Sequence, residues 1–268
     1  MALTRSILSY DDARTRAKRR LPRLIFDYID GAAGREQTCT NNSNAFDEIE
    51  LQPRVLRNVS ERSLNTRFLG QDFGMPFGIA PMGMCNLSWP GADQMLARAA
   101  TKFNMPHCLS TAASCGIEEL ATWAGAQAWF QLYVGASIEQ AMDLVDRAEA
   151  AGYDTLILTV DVPQVARRLR DVHNGFQMPF KIGPRQFIDF ALNPQWSIST
   201  LLAGAPDLAN FNGDQVQFDR SASRAGADWD YLKELRARWK GKLVVKGVLD
   251  VDDAKLLKKI GVDAIQVS

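Results

Sequence analysis

From Pro76 onward the sequence alternates short apolar runs with segments of helical periodicity, and this alternation constrains the fold more than any other feature. The runs are rich in β-branched and aromatic residues and cover residues 77–81, 107–111, 129–134, 155–160, 243–246 and 264–267. Helical patterns fill the stretches between them, such as residues 91–103 and 138–151. Apolar strands separated by helices are typical of a parallel sheet that is buried on both faces. Repeated units of this kind, joined by right-handed crossovers, predict an α/β fold of the TIM-type (β/α)8 class.

Polar residues, or other residues of the kinds found in active sites, stand at the carboxyl ends of almost all of these runs. They are Met82, Gly83, Ser110, Thr111, Gln131, Tyr133, Thr159, Asp161, Lys246 and Ser268. In a TIM-type barrel all carboxyl ends of the strands face one mouth, where the active site is built. Because such residues follow almost every apolar run, the sequence predicts a catalytic or binding site at this mouth.

Two regions fall outside the strand and helix alternation. Residues 4–30 predict two short helices within an N-terminal extension of residues 1–75. Inside the barrel units of residues 76–268, a long connection at about 172–229 contains no clear strand before the fifth run. This connection is apolar and amphipathic, and two interpretations stay open: a lid packed on the barrel, or a surface for a membrane or partner. We expect residues 1–268 to belong to one barrel domain.

Composition argues against several classes of function. Lys and Arg together number 31, as do Asp and Glu, so the net charge of zero gives no electrostatic sign of nucleic-acid binding. The patterns GxGxxG and GxxxxGK[ST] are absent, which disfavours a Rossmann dehydrogenase or a P-loop enzyme. The four cysteines lack zinc spacing, so no metal site is predicted. Without a signal-peptide pattern or an apolar run of about 18 residues, the expected location is cytoplasmic.

Several stretches of the sequence are similar to one enzyme family. They include Phe26-Asp27-Tyr28-Ile29-Asp30-Gly31-Ala32, Ile79-Ala80-Pro81-Met82-Gly83, Trp129-Phe130-Gln131-Leu132-Tyr133-Val134, Leu158-Thr159-Val160-Asp161-Val162-Pro163 and Leu243-Val244-Val245-Lys246-Gly247. Together they resemble the FMN-dependent 2-hydroxy-acid dehydrogenases and oxidases, and residues 193–197 and 207–211 look most like the bacterial L-lactate and mandelate dehydrogenase branch. The resemblance implies FMN as cofactor and oxidation of an (S)-2-hydroxy acid to the 2-oxo acid.

The same resemblance implies partners for the reaction. Quinone, cytochrome or oxygen would accept the electrons, and the full-length protein would form a homo-oligomer. In the bacterial branch the long connection is associated with membrane docking. The resemblance therefore implies a peripheral contact of residues 172–229 with the inner face of the cell membrane.

Cofactor contacts implied by the resemblance fall on the strand ends. They are Ala80, Pro81, Met82, Gly83, Ser110, Gln131, Thr159, Lys246 and Ser268. The first four match the family segment whose backbone lies against the flavin ring. Lys246 matches the cation beside N1 and O2 of the ring, where a positive charge stabilises the reduced flavin.

Substrate and catalytic contacts are implied in the same way. Arg168 matches the arginine that forks onto the substrate carboxylate, a geometry that lysine does not supply. Tyr28 and Tyr133 match the phenols that bind the carboxylate and the reacting oxygen. Asp161 matches the carboxylate that orients the catalytic imidazolium, so Tyr133 and Asp161 are the implied catalytic residues. The neighbouring Arg170 is interpreted as a surface charge.

The family's base is a histidine two residues beyond the serine matched by Ser268, where this chain ends. His107 lies at the start of a strand, at the wrong end of the barrel, and His173 matches a different family position. We therefore expect a barrel that is truncated after its sixth strand. As a 268-residue fragment, the protein is expected to be inactive and to bind FMN poorly. The alternative is a non-catalytic remnant that binds a partner or a membrane. Another FMN barrel, such as an isomerase, is disfavoured because it has no use for a carboxylate clamp.

Overall fold

A computed structural model describes residues 7–134, 138–177, 180–211 and 226–268. Its helices are α1 (Tyr10–Arg20), α2 (Arg23–Asp30), α3 (Gln37–Asn44), α4 (Cys85–Ser88), α5 (Ala92–Phe103), α6 (Ile117–Ala124), α7 (Ile138–Ala150), α8 (Leu169–Asn174), α9 (Pro184–Ala191), α10 (Pro194–Ala203), α11 (Trp229–Arg238) and α12 (Val251–Ile260). Its strands are β1 (Thr66–Phe68), β2 (Gln71–Phe73), β3 (His107–Ser110), β4 (Ala128–Tyr133), β5 (Thr155–Thr159), β6 (Lys242–Lys246) and β7 (Ala264–Gln266).

The chain divides into two compact units, here named the helical unit and the sheet unit. The helical unit comprises Met1–Arg62, Leu87–Pro90 and Ala166–Pro206. The sheet unit comprises Ser63–Asn86, Gly91–Val165 and Asp207–Ser268. The N-terminal helices and most of the long connection therefore share one unit, although they are far apart in the sequence. The interpretation of residues 1–268 as a single barrel domain stays a prediction.

The centre of the sheet unit is a parallel sheet of five described strands in the order β3-β4-β5-β6-β7. Each of these strands overlaps a predicted apolar run, so the prediction of a parallel sheet is confirmed. The run at 77–81 differs, because it forms only a single parallel bridge between Ile79 and His107 rather than a strand. Pro76 and Pro81 flank this bridge, and since proline has no N–H to donate, the pairing does not spread.

Both faces of the sheet are covered by apolar side chains. The larger core, shared with α6, α7 and α11, includes Leu109, Phe130, Leu132, Leu156 and Leu158. The opposite face carries a smaller cluster made of Phe73, Cys108, Trp129, Ile157 and Val244. Burial on both faces explains why the strands are almost continuously apolar instead of alternating apolar with polar.

The face of the sheet that carries the smaller cluster becomes polar toward the carboxyl ends of the strands. Each of the cluster's residues on the parallel strands is followed two positions later by a polar residue, which the period of two places on the same face. These residues are Ser110, Gln131, Thr159 and Lys246. The strand register pairs Ser110 with Gln131 and Thr159 with Lys246. One face of the sheet therefore ends in a row of polar side chains.

An antiparallel hairpin of β1 and β2 precedes the parallel sheet and is not predicted from the sequence. Its turn residues, Leu69 and Gly70, have φ of +51° and +86°, as two-residue hairpin turns favour. Strands of three residues are too short to show an alternating pattern. The hairpin supplies Phe73 to the smaller apolar cluster.

The helical unit contains the two predicted N-terminal helices, which are confirmed as α1 and α2. A capping box of Ser9 and Asp12 begins α1, and α2 buries Leu24, Ile25 and Phe26. The long connection contributes α8, α9 and α10, whereas its residues 212–225 lie outside the described part of the chain. Among the helices that the structure describes, none is long and apolar enough to cross a membrane.

Candidate active site

Three buried polar side chains form a hydrogen-bonded row across the carboxyl ends of β3, β4 and β5. The Ser110 hydroxyl donates to Oε1 of Gln131 at 3.2 Å, and Nε2 of Gln131 donates to the Thr159 hydroxyl at 2.9 Å. A buried polar group without a partner costs about 1–3 kcal/mol. The row is therefore stable only with all three side chains in these orientations, which makes it a rigid set of donors and acceptors.

The end of β6 adds a charged cluster beside this row. Lys246 Nζ lies 3.0 Å from Oδ2 of Asp161 and donates to the Ser268 hydroxyl at 2.8 Å. Ser268 donates in turn to Asp161 at 3.1 Å. The Lys246 and Asp161 side chains are 21% and 24% exposed, so water still reaches the pair. Three residues singled out from the sequence thus meet in one cluster, where the carboxylate holds the ammonium group in place.

The turn after β6 lies against this cluster at Gly247, a position that the sequence analysis did not identify as part of the site. Gly247 has φ of +104°, and a Cβ atom there would stand 2.4 Å from Cβ of Asp161. Any other residue would meet both backbone strain and a steric clash. The signal in the sequence was a glycine directly after the strand-end Lys246.

The segment of residues 80–83, which the resemblance places against the flavin, is anchored on both sides. Before it, Ile79 forms the parallel bridge with His107. After it, the Met84 N–H donates to the carbonyl of Ala112 at 3.0 Å, and Met84 has φ of +58°. Within the segment Ala80 and Met82 are exposed, whereas Pro81 and Gly83 are half-buried. The anchors hold a short stretch of accessible backbone in a defined conformation.

A buried carboxyl group that the sequence analysis did not identify connects this region to α5. Asp93 accepts a hydrogen bond from the Ser114 hydroxyl at 2.7 Å, and its own N–H donates to Oδ1 of Asn86 at 3.1 Å. The Asn86 N–H donates to the Ser114 hydroxyl at 2.9 Å, which closes the network. Burial raises the pKa of Asp93 above its usual value. These three residues fix the loops that follow residues 80–83 and β3.

In the helical unit, two of the substrate residues implied by the resemblance come together. The guanidinium carbon of Arg168 lies 5.3 Å from the ring centre of Tyr28, and that ring stacks on Phe176 with 4.4 Å between centroids. Nη2 of Arg168 donates to the backbone carbonyls of Tyr28 and Gly31, the second at 2.7 Å. Its Nε lies 3.0 Å from Oδ2 of Asp171. Arg168 therefore caps the carboxyl end of α2, and its Nη2 is occupied by backbone carbonyls.

Arg170 is the centre of an ion-pair network, so its interpretation as a simple surface charge is wrong. Its Nη1 lies 2.8 Å from Asp30, and its Nη2 contacts the carboxylate of Glu36. Arg14 of α1 binds the same Asp30 at 2.8 Å. Hydrogen bonds from Arg14 and then from Arg170 hold the pKa of Asp30 below its usual value, against the opposing effect of burial. The network joins α1, α2 and α8, and therefore fixes the segment that carries Arg168.

Tyr133 and His107 lie on strands of the sheet unit, and His173 lies on α8 of the helical unit. Tyr133 ends β4, where its N–H donates to the Thr111 hydroxyl at 3.0 Å. His107 begins β3, at the opposite end from Ser110, and burial lowers the pKa of its ring to about 4 because desolvation disfavours the imidazolium. Its Nδ1 has no hydrogen-bond partner among the described residues. His173 is exposed on α8 in the helical unit.

The sequence from residue 17 to residue 268 matches the family described as FMN-dependent dehydrogenase. The chain belongs to this family. It is 37% identical over 272 residues to L-lactate dehydrogenase of Pseudomonas syringae pv. syringae (strain B728a), covering 98% of this chain and 71% of that protein. It is 37% identical over 273 residues to (S)-mandelate dehydrogenase of Pseudomonas putida, covering 99% and 69%.

A solved structure supports the same family assignment. The crystal structure of the monotopic membrane protein (S)-mandelate dehydrogenase aligns with a TM-score of 0.91 at 38% identity, covering 96% of this chain and 71% of that one. Family membership makes this protein an FMN-dependent oxidoreductase and implies a TIM-barrel fold, to which the five parallel strands correspond. The resemblance to the FMN-dependent 2-hydroxy-acid dehydrogenases is confirmed.

Proposed function

We propose that the protein oxidises an (S)-2-hydroxy acid of the lactate or mandelate type to the 2-oxo acid, with FMN bound at the strand ends of the sheet unit. The observation that carries the proposal is the row of Ser110, Gln131 and Thr159 with Lys246 beside it. Hydroxyl and amide groups suit the polar edge of the flavin, and the ammonium group suits the charge of its reduced form. FMN, when bound, accepts the two electrons that leave the substrate.

The chain's own residues hold the substrate and the charges around it. Arg168 and Tyr28 bind the substrate carboxylate, with Arg168 acting chiefly through its charge because its Nη2 is occupied by backbone carbonyls. Tyr133 binds the oxygen of the reacting hydroxyl group. Asp161 holds the Lys246 ammonium group at 3.0 Å and supplies the negative charge that orients an imidazolium.

Lys246 offers the sharpest test of the cofactor site. Replacing Lys246 with Gln removes the positive charge, so we expect affinity for reduced FMN to fall about tenfold or more and the flavin midpoint potential to drop. Lys242 begins the same strand and forms an ion pair of 3.0 Å with Asp263. Lys242→Gln is therefore a matched control, at the far end of β6, and should leave both quantities unchanged. Equal effects of the two substitutions would contradict the cofactor site.

We propose further that the 268-residue polypeptide turns over slowly on its own. Its two histidines are His107, at the amino end of β3, and His173, in the helical unit. The sheet unit therefore has no histidine among its own strand-end residues. Oxidation of a 2-hydroxy acid needs a base near the substrate. Weak binding of FMN by this polypeptide is part of the same hypothesis.

The reaction is tested with the 268-residue chain and excess FMN. We expect (S)-lactate or (S)-mandelate to perturb the flavin absorbance and to bleach it slowly, and added imidazole to accelerate bleaching. The (R)-acids serve as controls and should leave the spectrum unchanged. Rapid turnover without imidazole would contradict the hypothesis of slow turnover. Once gel filtration shows that FMN is bound, a spectrum that responds to neither (S)-acid, with or without imidazole, would exclude the proposed substrate class.

A peripheral membrane contact through residues 172–229 is the remaining part of the proposal. Its support is the apolar surface of α9 and α10, where Phe187, Ile188, Leu192, Leu201 and Leu202 are exposed. One similar solved structure is that of a monotopic membrane protein. A membrane site would favour quinone over cytochrome or oxygen as electron acceptor, and rates of flavin reoxidation with each acceptor distinguish them. Gel filtration tests the proposed homo-oligomer.

A further inference from the structure

The sheet unit buries one carboxyl group, that of Asp93, to which the proposed reaction gives no part. Asp93 is 2% exposed, and it forms no ion pair with any residue that the structure describes. Burial of a carboxylate without a cation is costly, and burial raises the pKa of Asp93 above its usual value. Hydrogen bonds to neighbouring side chains are therefore what stabilise this group in the core.

Asp93 differs from the aspartates that begin other helices of the same unit. Asp228 and Asp250 precede α11 and α12, and each of their carboxylates accepts hydrogen bonds from two N–H groups of its own helix. Asp93 lies in the first turn of α5, but its carboxylate accepts from the hydroxyl of Ser114, in the loop after β3, at 2.7 Å. Its N–H is bound by the side chain of Asn86 instead. The carboxylate of Asp93 therefore connects two distant parts of the chain.

Two thiols extend this connection toward residues 80–83, the segment assigned above to the flavin ring. The side chains of Cys85 and Cys115 both hydrogen-bond to the carboxylate of Asp93. Burial raises the pKa of the Cys85 thiol to about 12, so this thiol keeps the proton that it donates. Sγ of Cys85 also lies 3.7 Å from the carbonyl oxygen of Met82. Asp93 is thus one side chain away from the backbone of this segment.

The backbone that leaves this segment is strained, which indicates that neighbouring contacts hold it in place. Met84 has φ of +58°, in the left-handed region that residues with a Cβ atom rarely adopt. Its N–H donates to the carbonyl of Ala112 at 3.0 Å. The N–H of Ala112 donates in turn to the hydroxyl of Ser110, the first residue of the polar row, at 3.2 Å. Strained backbone persists only where the surrounding structure fixes it, and here the same contacts lead to the polar row.

We propose that Asp93 is a positioning residue for FMN, which sets the spacing between the backbone of residues 80–83 and the polar row through Ser114 and Cys85. The proposal rests on the FMN site proposed above and adds to it a residue that touches neither flavin nor substrate. A flavin that packs its ring face on one part and hydrogen-bonds its ring edge to the other needs both parts at a fixed spacing. Loss of the Asp93 carboxylate should therefore weaken FMN binding and alter the surroundings of the ring.

The first test titrates FMN into the 268-residue chain and follows flavin fluorescence and absorbance. Asp93→Ala should weaken FMN binding about tenfold, the effect of losing one hydrogen bond to a charged group, and should shift the visible absorption of bound FMN. The control is Tyr153→Phe, which removes a buried hydroxyl that donates to the carbonyl of Ile117 at 2.8 Å. This control should lower the thermal midpoint of unfolding and leave FMN affinity and spectrum unchanged. Equal effects of both variants on bound FMN would overturn the proposal, since destabilisation alone would explain them.

Milder variants keep the proposal testable if Asp93→Ala folds poorly. Asp93→Asn retains an oxygen that accepts the Ser114 hydroxyl, so it should keep most of the affinity for FMN. Ser114→Ala breaks the same link from the other side. The double variant Asp93→Ala/Ser114→Ala should therefore bind FMN no more weakly than Asp93→Ala. Losses that multiply in the double variant, or an equal loss in Asp93→Asn and Asp93→Ala, would overturn the proposed link.

A measurement without FMN separates this proposal from the FMN site on which it rests. Cys39 is exposed, so all variants carry Cys39→Ser, and a disulfide reagent reports on Cys85. Asp93→Ala should speed modification of Cys85, because the carboxylate adds to burial in raising the pKa of this thiol. If Lys246→Gln weakens FMN binding and Asp93→Ala changes only the thiol, the FMN site stands and the positioning role is overturned. If neither variant changes FMN binding, the FMN site fails and the positioning role fails with it.

Discussion

The site residues of the two units are held in place by different kinds of interaction. In the sheet unit, the register of the parallel strands pairs Ser110 with Gln131. The amide of Gln131 then reaches Thr159, which lies two positions beyond its own register partner Ile157 on the same face. In the helical unit, Arg168 reaches the backbone of Tyr28 across 140 positions of sequence, through side-chain hydrogen bonds. The first arrangement follows from backbone pairing, whereas the second depends on individual charged side chains.

This difference has consequences for how each region responds to change. The polar row is buried, so it should be sensitive to a missing partner or a misplaced atom and insensitive to pH near neutrality. The ion-pair network of the helical unit is partly exposed, so single charges contribute less and respond to pH and salt. Substitutions in the sheet unit should therefore have the larger effects.

The largest effect is expected for Gly247→Ala. The added Cβ would stand 2.4 Å from Cβ of Asp161 at φ of +104°, so overpacking adds to backbone strain. Gly261 is the matched control, since it has φ of +91° with nothing within 4 Å of its added Cβ. Gly261→Ala should cost about 1–2 kcal/mol, and Gly247→Ala about 2 kcal/mol more. Urea unfolding measures the free energy of unfolding of both variants. Equal losses would mean that the close contact with Asp161 adds nothing to the destabilisation.

A smaller loss of about 2 kcal/mol is expected for Gln131→Leu, which leaves the hydroxyls of Ser110 and Thr159 without their shared partner. The control is Gln127→Leu, directly before the same strand, where the amide of the half-buried Gln127 donates to Oδ1 of Asn104 at 3.1 Å. That change should stay within about 0.5 kcal/mol. If Gln131→Leu unfolds at the same urea concentration as the control, the row does not stabilise the sheet.

The same contrast explains what the sequence could predict. The apolar runs predicted the parallel strands and placed Ser110, Gln131, Thr159 and Lys246 at their carboxyl ends, because continuous apolar runs are typical of strands that are buried on both faces. The run at 77–81 failed as a strand, since two prolines limit its pairing to Ile79. Local sequence patterns do not show which distant carboxylates an arginine side chain binds. The sequence therefore predicts neither the ion pairs of Arg170 nor the buried network of Asp93.

In the helical unit, Arg170→Gln should lower the free energy of unfolding by about 1 kcal/mol at neutral pH. Asp30 has a lowered pKa in the folded state, so its contribution is complete above the unfolded pKa of about 3.9 and disappears as pH falls through the folded value. The curves of parent and variant should therefore converge in acid. Arg238→Gln removes an arginine of the sheet unit bound to Asp146 and Glu149 and should have a smaller effect, because these carboxylates are 54% and 43% exposed whereas Asp30 is 7% exposed. Urea unfolding across this pH range measures the difference, and a gap that persists in acid would rule out the ion pairs as its source.

The smallest effect is expected for Phe176→Leu, which removes the ring stacked on Tyr28 at an interplanar angle of 3°. Stacked aromatic pairs contribute about 0.5–1.5 kcal/mol beyond the area they bury, so the loss should be about 1 kcal/mol. Phe187, 66% exposed on α9, provides a control whose change to Leu should have almost no effect on stability. If the stack also sets the position of the Tyr28 phenol, Phe176→Leu should raise the KM for the hydroxy acid more than it lowers kcat. A loss of stability with unchanged KM would separate the packing of this helix from its proposed role in substrate binding.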